Sequence, residues 1–389
     1  MKKIFLWMAA LLLLASPTFA ASGASDMLPG GAVLGFWRCG DGVSTGFAIQ
    51  NVKDFPVGVH IVVYDNCSQE IMNFTVPLSE HDIWGGTLSC SGGEIIIESL
   101  PSHFEGPNNG SETRRAPKRS DYGYIVAAVT QVGTNKLIRS NFANMVRACD
   151  GTNTGSAPYH CNNDDPRDDL NWQNRIVTIP NAIILRTIIG NLSGGTAMTV
   201  NGISILDFTN LGTLFGNNDD TNGIIVHLEE LAAFYPDPLQ VAGGNFALGS
   251  ANGVYWASYN QACFETTLAL IFPQSGHGCT NSIDIGVHIY DDNQNVTSAS
   301  IPVPEVALIP LNTSIITYQR GFIRLQVKTS YRINYDALTP HPLPMFGYSI
   351  YEAPGAVAAF PIIPEQQVFC VSYGCFIVGT NLGPRGSVY

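Results

Sequence analysis

A chain of 389 residues is long enough for two or three domains of ordinary size, so its core can form without staples. Only 13% of it is charged, and Asn, Thr, Ser and Gly supply most of the remaining polarity. The formal charge of −12, which becomes −14 once Lys2 and Lys3 are removed, excludes nucleic acid as a main partner because phosphate binding needs clustered cations.

Lys2 and Lys3 precede an apolar run from Ile4 to Ala15, and Ser16-Pro17-Thr18-Phe19-Ala20 closes it with small residues. That order is the one of a secretory signal peptide, with cleavage expected after Ala20 or Ala21. The run is shorter than the ~20 residues of a membrane-spanning helix, and no later apolar run is long enough to span. Residues 1–20 are therefore expected to be removed, and the mature chain to be secreted: extracellular, on the cell surface or periplasmic.

An exported chain with nine cysteines is expected to form disulfides. Spacing suggests Cys149–Cys161, Cys263–Cys279 and Cys370–Cys375, each closing a short loop. A fourth bridge would use two of Cys39, Cys67 and Cys90 and leave one thiol over. Cys67–Cys90 is preferred because both flank one predicted hairpin. No Cys-x-x-Cys pair exists, so zinc ribbons and haem attachment of the Cys-x-x-Cys-His type are excluded by spacing.

Strands dominate the chain. Val57, Val59, Ile61 and Val63 alternate along 57–64 as one face of a half-buried strand, and Asp65-Asn66 supplies a turn. Phe74 to Val76, Glu94 to Ser99 and Tyr124 to Gln131 follow the same pattern between Gly, Asn, Ser and Pro punctuation, as expected of a sandwich. Gly106 to Ser120, with Arg114, Arg115, Lys118 and Arg119, is expected to be an exposed, mobile loop. Val177 to Ile189 and Met198 to Leu206 predict a hairpin joined by 190–195. The best helix candidate is Val226 to Tyr235.

The second half echoes the first. Tyr64-Asp65-Asn66 aligns with Tyr290-Asp291-Asp292, which lays Val59, Ile61 and Val63 on Ile285, Val287 and Ile289. Val76-Pro77-Leu78 matches Ile301-Pro302-Val303. The same alignment sets Gly93 to Ile97 on Gly321 to Leu325, and Gly123-Tyr124 on Gly347-Tyr348. Trp37 and Trp256 each stand before a possible opening strand. An internal duplication is expected. The fold class is all-β: two immunoglobulin-like antiparallel β-sandwich units with an irregular β-rich connecting segment. The divisions are 27–140 for the first unit, 141–222 for a connector packed on it, and 223–389 for the second.

These paired patterns, Val-His-Ile-x-x-Tyr-Asp-Asn, a Phe-x-Val-Pro-Leu strand and Gly-Tyr-Ile-Val, resemble a group of uncharacterised exported bacterial proteins with duplicated immunoglobulin-like modules. The resemblance covers about half the mature chain. It implies fold and location, and it carries over no catalytic residue. The Cys…Trp…Cys spacing of antibody-type domains is absent.

Candidate chemistry is sparse. Gly42-Val43-Ser44-Thr45-Gly46 fits a hydrolase nucleophile elbow, but it precedes a strand where the elbow must follow one. His60 and His288 fall opposite the inferred cores and are expected to face solvent. Calcium is the one cofactor candidate, because Asx-rich loops offer hard oxygens. Its predicted ligands are Asp164, Asp165, Asp168 and Asp169 after Cys161, with Asp219 and Asp220 in a second loop; neither loop has EF-hand order.

The expected function is non-enzymatic: a secreted or cell-surface protein with a structural, adhesive or partner-binding role. Its partners would be other surface or extracellular proteins, or polysaccharide. The alternative is a carbohydrate-binding module, calcium-assisted, for which Trp84, Trp172 and Trp256 are the residues to inspect. An exported hydrolase ranks third. The segment Phe369 to Tyr389 is expected to be a last strand with a loose tail, with an assembly strand as the other reading.

Overall fold

The structure, a computed structural model, describes residues 23–25, 28–99, 112–132, 181–191, 195–206, 253–272, 279, 282–311, 318–333, 336–342, 345–354, 356–371 and 374–379. These residues form strands, turns and bends, with no helix among them. The first sandwich contains β1 (Gly23–Ser25), β2 (Ala32–Arg38), β3 (Val43–Asn51), β4 (Val57–Asp65), β5 (Glu70–Leu78) and β6 (Ile83–Ser91). It continues with β7 (Glu94–Ser99), β8 (Glu112–Pro117), β9 (Tyr122–Val132), β10 (Ile183–Asn191), β11 (Thr196–Asn201) and β12 (Ile203–Leu206). Sheet I has the order β1-β12-β2-β9-β4-β5, and sheet II the order β11-β10-β3-β6-β7-β8.

The second sandwich begins with β13 (Val254–Asn260), β14 (Glu265–Ile271), β15 (Ile283–Asp291), β16 (Val296–Val303), β17 (Val306–Pro310) and β18 (Arg320–Val327). Then come the pair β19 (Ser330–Ile333) and β20 (Asp336–Pro342), β21 (Phe346–Ala353), β22 (Ala356–Pro361), β23 (Ile363–Pro364), and the hairpin β24 (Gln366–Val371) and β25 (Gly374–Gly379). Sheet III is β16-β15-β18-β13-β23, and sheet IV is β17-β14-β21-β22. The whole is all-β and antiparallel, two sandwiches in succession. The helix candidate Val226 to Tyr235 lies outside the described residues.

Period-two patterning builds each core. β3 buries Thr45, Phe47, Ile49 and Asn51 and turns the residues between them outward. They meet Ile61, Val63 and Ile125 from sheet I. Trp84 of sheet II lies 5.4 Å from Phe74 of sheet I, centroid to centroid, and 5.2 Å from Phe47. The sequence left Trp84 open as a surface aromatic; it is a core residue, 2% exposed.

Sheets I and IV are buried on both faces. In β2 every residue from Ala32 to Trp37 is buried, and in β21 every residue from Phe346 to Tyr351. The second face of sheet I carries Leu34, Phe36, Val62, Tyr124 and Val126. They belong to one apolar cluster with Ala269, Ile271, Val306, Phe346, Tyr348 and Ile350 of sheet IV. The layers therefore stack II, I, IV, III, with a largely apolar seam between the sandwiches. The face of β4 that carries His60 is this seam face, contrary to the expectation of a solvent-facing strand side; the His60 side chain itself lies outside the described ones.

The same strand order recurs. β2-β9-β4-β5 in sheet I has its counterpart in β13-β18-β15-β16, and β11-β10-β3-β6 in β22-β21-β14-β17. The third and sixth strands of each set are neighbours in one sheet and the second and fifth in the other, as in the immunoglobulin arrangement. The first and seventh strands are exchanged between sheets relative to that arrangement. β7 and β8 extend sheet II beyond the shared set, and β10, β11 and β12, which come from the predicted connector, are integral to sheets I and II.

Register corrects part of the expected alignment. Gly123 pairs with Asp65, and Gly321 pairs with Asp291, so Gly321 corresponds to Gly123, and not to Gly93. A Cβ at either glycine would run into a carbonyl oxygen, that of Tyr64 or Tyr290. The same carbonyl accepts a side-chain hydrogen bond in both sandwiches: from Trp37 Nε1 at 3.0 Å and from Tyr259 Oη at 3.1 Å. Trp37 therefore corresponds to Tyr259, while Trp256 points to the other side of its sheet. Sequence matching missed this because glycine-plus-apolar strings recur in any sandwich, whereas the glycine facing that carbonyl is fixed by pairing.

The turn alignment, by contrast, holds in detail. Asp65 Oδ1 accepts from the backbone N–H groups of Cys67 and Gln69, and Asp291 Oδ1 from those of Asn293 and Asn295. Ser68 and Gln294, at the same place in the two turns, are both left-handed, with φ of 53° and 65°. Donors are what hold Asp291: burial opposes its ionisation, yet the Asn295 side chain and the N–H groups of Asn295 and Asn293 keep its carboxyl below the usual range.

Candidate functional site

Sheet III presents its outer face to solvent and carries three of the eight exposed large apolar side chains among the described residues, Val296, Phe322 and Ile363. β18 buries Ile323, Leu325 and Val327, which sends Phe322, Arg324 and Gln326 outward. Cross-strand pairing places Ser258, Phe322, Tyr290 and Val296 in one row. The adjacent row holds Ile363, Trp256, Arg324 and His288. Phe322 is 60% exposed, Val296 55% and Ile363 54%. Trp256 and Tyr290 are half-buried and reach towards each other, ring centroids 6.3 Å apart. Together Ile363, Trp256, Phe322, Tyr290 and Val296 draw an apolar stripe across all five strands. Ion pairs flank it, Arg320–Asp292 at 3.0 Å on one side and Arg324–Glu365 at 4.0 Å on the other.

Solitary exposed apolar residues need no explanation, but a contiguous aromatic stripe between charged borders has the composition of an interface centre. Of the three tryptophans to inspect for sugar binding, Trp256 stands on this face, and the structure brings it together with Phe322 and with Tyr290, which the sequence marks only as part of the repeat alignment. The signal was there: in 320–327 a Phe occupies the phase of Arg324 and Gln326, the polar side of the strand. Trp172 lies outside the described residues. His288 sits half-exposed on this outer face, in the row of Trp256 and Arg324.

A second feature is a cleft of about 310 Å³ at one end of the seam. Arg38, Asn191, Thr196 and Glu352 supply its polar groups, and Met198 and Val357 part of its apolar wall. Arg38 and Glu352, 3.6 Å apart, bridge the two sandwiches there, and both are more than two-fifths exposed, so the pair contributes little. Tyr348 Oη also crosses the seam, to the Asn201 carbonyl at 2.9 Å.

The cysteines are rearranged relative to expectation. Cys39 is bridged to Cys90 and Cys67 to Cys279, with Cα separations of 5.5 and 4.7 Å. Cys67–Cys90 does not form, because the turn carrying Cys67 belongs to sheet I. Cys90 lies in sheet II near the β2–β3 turn, beside Cys39. Cys263–Cys279 does not form either: the two lie at opposite ends of β14, which at ~3.4 Å per residue puts them far beyond the ~7 Å that a disulfide tolerates. Cys263 is a free, exposed thiol. Cys370 and Cys375 stand directly opposite in the β24–β25 backbone register, their side chains outside the described ones. Cys149 and Cys161 lie outside the described residues.

The calcium candidates Asp164, Asp165, Asp168, Asp169, Asp219 and Asp220 also lie outside the described residues. Among the described residues, one cluster has metal-ligand composition, Cys39, Cys90 and Asp121, and its two sulfurs are committed to the disulfide. The expected basic loop is in part the strand β8. Arg114 lies 4.2 Å over the Phe74 ring, Arg115 pairs with Glu94 at 2.9 Å, Lys118 with Asp121 at 2.6 Å, and Arg119 donates to Gln69. Each of these cations has a partner within the fold. Ser44 of the Gly-x-Ser-x-Gly string sits inside β3, paired with Gly190, with no elbow. Searches against family models and curated proteins return no match.

Proposed function

We propose that this chain is an exported, non-enzymatic protein that binds a partner at the cell surface or outside the cell, using the outer face of sheet III. The stripe Ile363–Trp256–Phe322–Tyr290–Val296 carries the reading, because exposed aromatics with flanking arginines are the groups that dominate protein association. Two features support a rigid presenting platform: the apolar seam, and a disulfide joining one sandwich to the other. Disulfides also suit an oxidising compartment, which agrees with the export expected from the leader-like sequence of residues 1–20. The recurrence of strand order, turn and glycine supports a further part of the reading, that the two sandwiches arose by duplication of one unit.

The same three rings favour a second reading, polysaccharide binding, since sugar rings stack on aromatic side chains. One experiment separates them. Producing cells carrying wild type or the W256A/F322S pair are fractionated, and the purified proteins are run through gels containing soluble polysaccharides. The leading reading expects wild type in the envelope, released by protease treatment of that envelope, and the variant in the medium. Retardation in one polysaccharide gel that the variant loses would transfer the role to the second reading. Identical fractionation and migration of the two proteins would refute both.

A further inference from the structure

The seam contains one group that its surroundings do not suit. Glu305, between β16 and β17, is wholly buried, at 0% exposure. Its carbonyl accepts from the Phe272 N–H at 2.8 Å, and the N–H of the following Val306 donates to the Asn66 carbonyl of the other sandwich at 3.1 Å. The Glu305 side chain is thereby held against the β4–β5 turn, where Asp65 and Ser68 are also buried. Neither Glu305 carboxyl oxygen makes a hydrogen bond of ordinary geometry, nor does Ser68 Oγ. Asp65 Oδ1 is already engaged by two backbone N–H groups of its own turn. Asp65 is the one charged group acting on Glu305 among the described residues, with no arginine, lysine or histidine beside it.

A carboxylate buried without donor or counter-ion costs far more than the neutral acid. Burial is the largest influence and pushes Glu305 from the ordinary 4.5 up to about 7; the Ser68 hydroxyl pulls the other way, and the negative charge of Asp65 adds to the rise. The matching turn of the second sandwich holds no such conflict. There Asn295 Nδ2 donates to Asp291 Oδ2 at 2.7 Å.

We propose that Glu305 is a proton-operated clasp on the seam: protonated, it lets the β4–β5 turn close on β17, and ionised, it opens that contact while the Cys67–Cys279 bridge keeps the sandwiches tethered. The sign follows from linkage. The closed form holds the proton more tightly than the open form, so closure weakens as pH climbs above the open-state value and stops weakening above the closed-state value. The clasp does not depend on what sheet III binds, and its failure would leave the proposed function untouched.

Amide hydrogen exchange, corrected for intrinsic rates, tests it on the disulfide-intact protein. The opening equilibrium read at Val306 is expected to rise about 30-fold between about pH 5.5 and about pH 8.5 in wild type, and by less than about threefold in E305Q. Core amides of β3 are expected to keep their protection in both proteins. A flat wild-type profile, or an equal rise in E305Q, overturns the proposal. So does closure at about pH 8.5 driven by added calcium and abolished by E305Q, which would make Glu305 a cation ligand. Should E305Q fail to fold, carboxyl carbon-13 titration of wild type decides. An apparent pKa near 7 supports the clasp, and one below about 5 overturns it.

Discussion

Replacing both Cys67 and Cys279 by serine isolates what joins the sandwiches. The two residues are 212 positions apart, so the bridge closes a far longer loop than Cys39–Cys90, which spans 51. Chain-entropy arithmetic for a loop of that size gives about 5 kcal/mol of stabilisation, acting through the unfolded state. Both cysteines are only half-buried, so serine there adds little desolvation cost of its own, which cannot be said of Cys39 at 2% exposure. The seam is apolar over most of its area, with Glu305 beneath the bridge as the buried exception, so the folded variant is expected to keep its layers stacked. In guanidinium, the reasoning therefore expects a lower midpoint together with a steeper slope, since the uncrosslinked chain exposes more surface when unfolded. Peptide mapping without reductant should first recover the fragment around Cys67 joined to the one around Cys279. A double-serine protein with the wild-type midpoint and slope would refute the argument, and so would a map joining Cys279 to Cys263.

Four further substitutions probe the matched positions and the stripe. Gly123→Ala is expected to destabilise by about 2–3 kcal/mol, because its Cβ meets the Tyr64 carbonyl and the Trp37 ring; thermal unfolding measures it, and Gly321→Ala should behave alike. Tyr259→Phe removes one hydrogen bond to the Tyr290 carbonyl at little change in shape, and equilibrium denaturation should show a loss of about 1 kcal/mol. The Tyr259 phenol, pushed up to about 12 by burial and then by Asp291, Tyr318 and Asp292, remains a donor throughout the ordinary pH range, so that loss should not vary between about pH 6 and about pH 9. Phe322→Ser is expected to leave stability within about 0.5 kcal/mol of wild type while abolishing partner retention, a pairing of results that a core residue could not give.

Alternation of apolar and polar residues determined the strands, and the Asp65 and Asp291 turns were legible because an aspartate closing a hairpin makes its bonds within five residues. Such information is local, so the sequence holds it. Period two says which residues share a face, but it is silent on what lies against that face. Val62, Tyr64 and Tyr124 therefore gave no sign that a second sandwich covers them. Cysteine partners followed neither spacing nor hairpin logic, since a bridge asks only that two Cα atoms come within a few ångströms, and chain distance does not report that. Glu305 is the plainest case: between Pro304 and Val306 it looks like any exposed corner residue, and only the packing of one sandwich on the other takes it out of water.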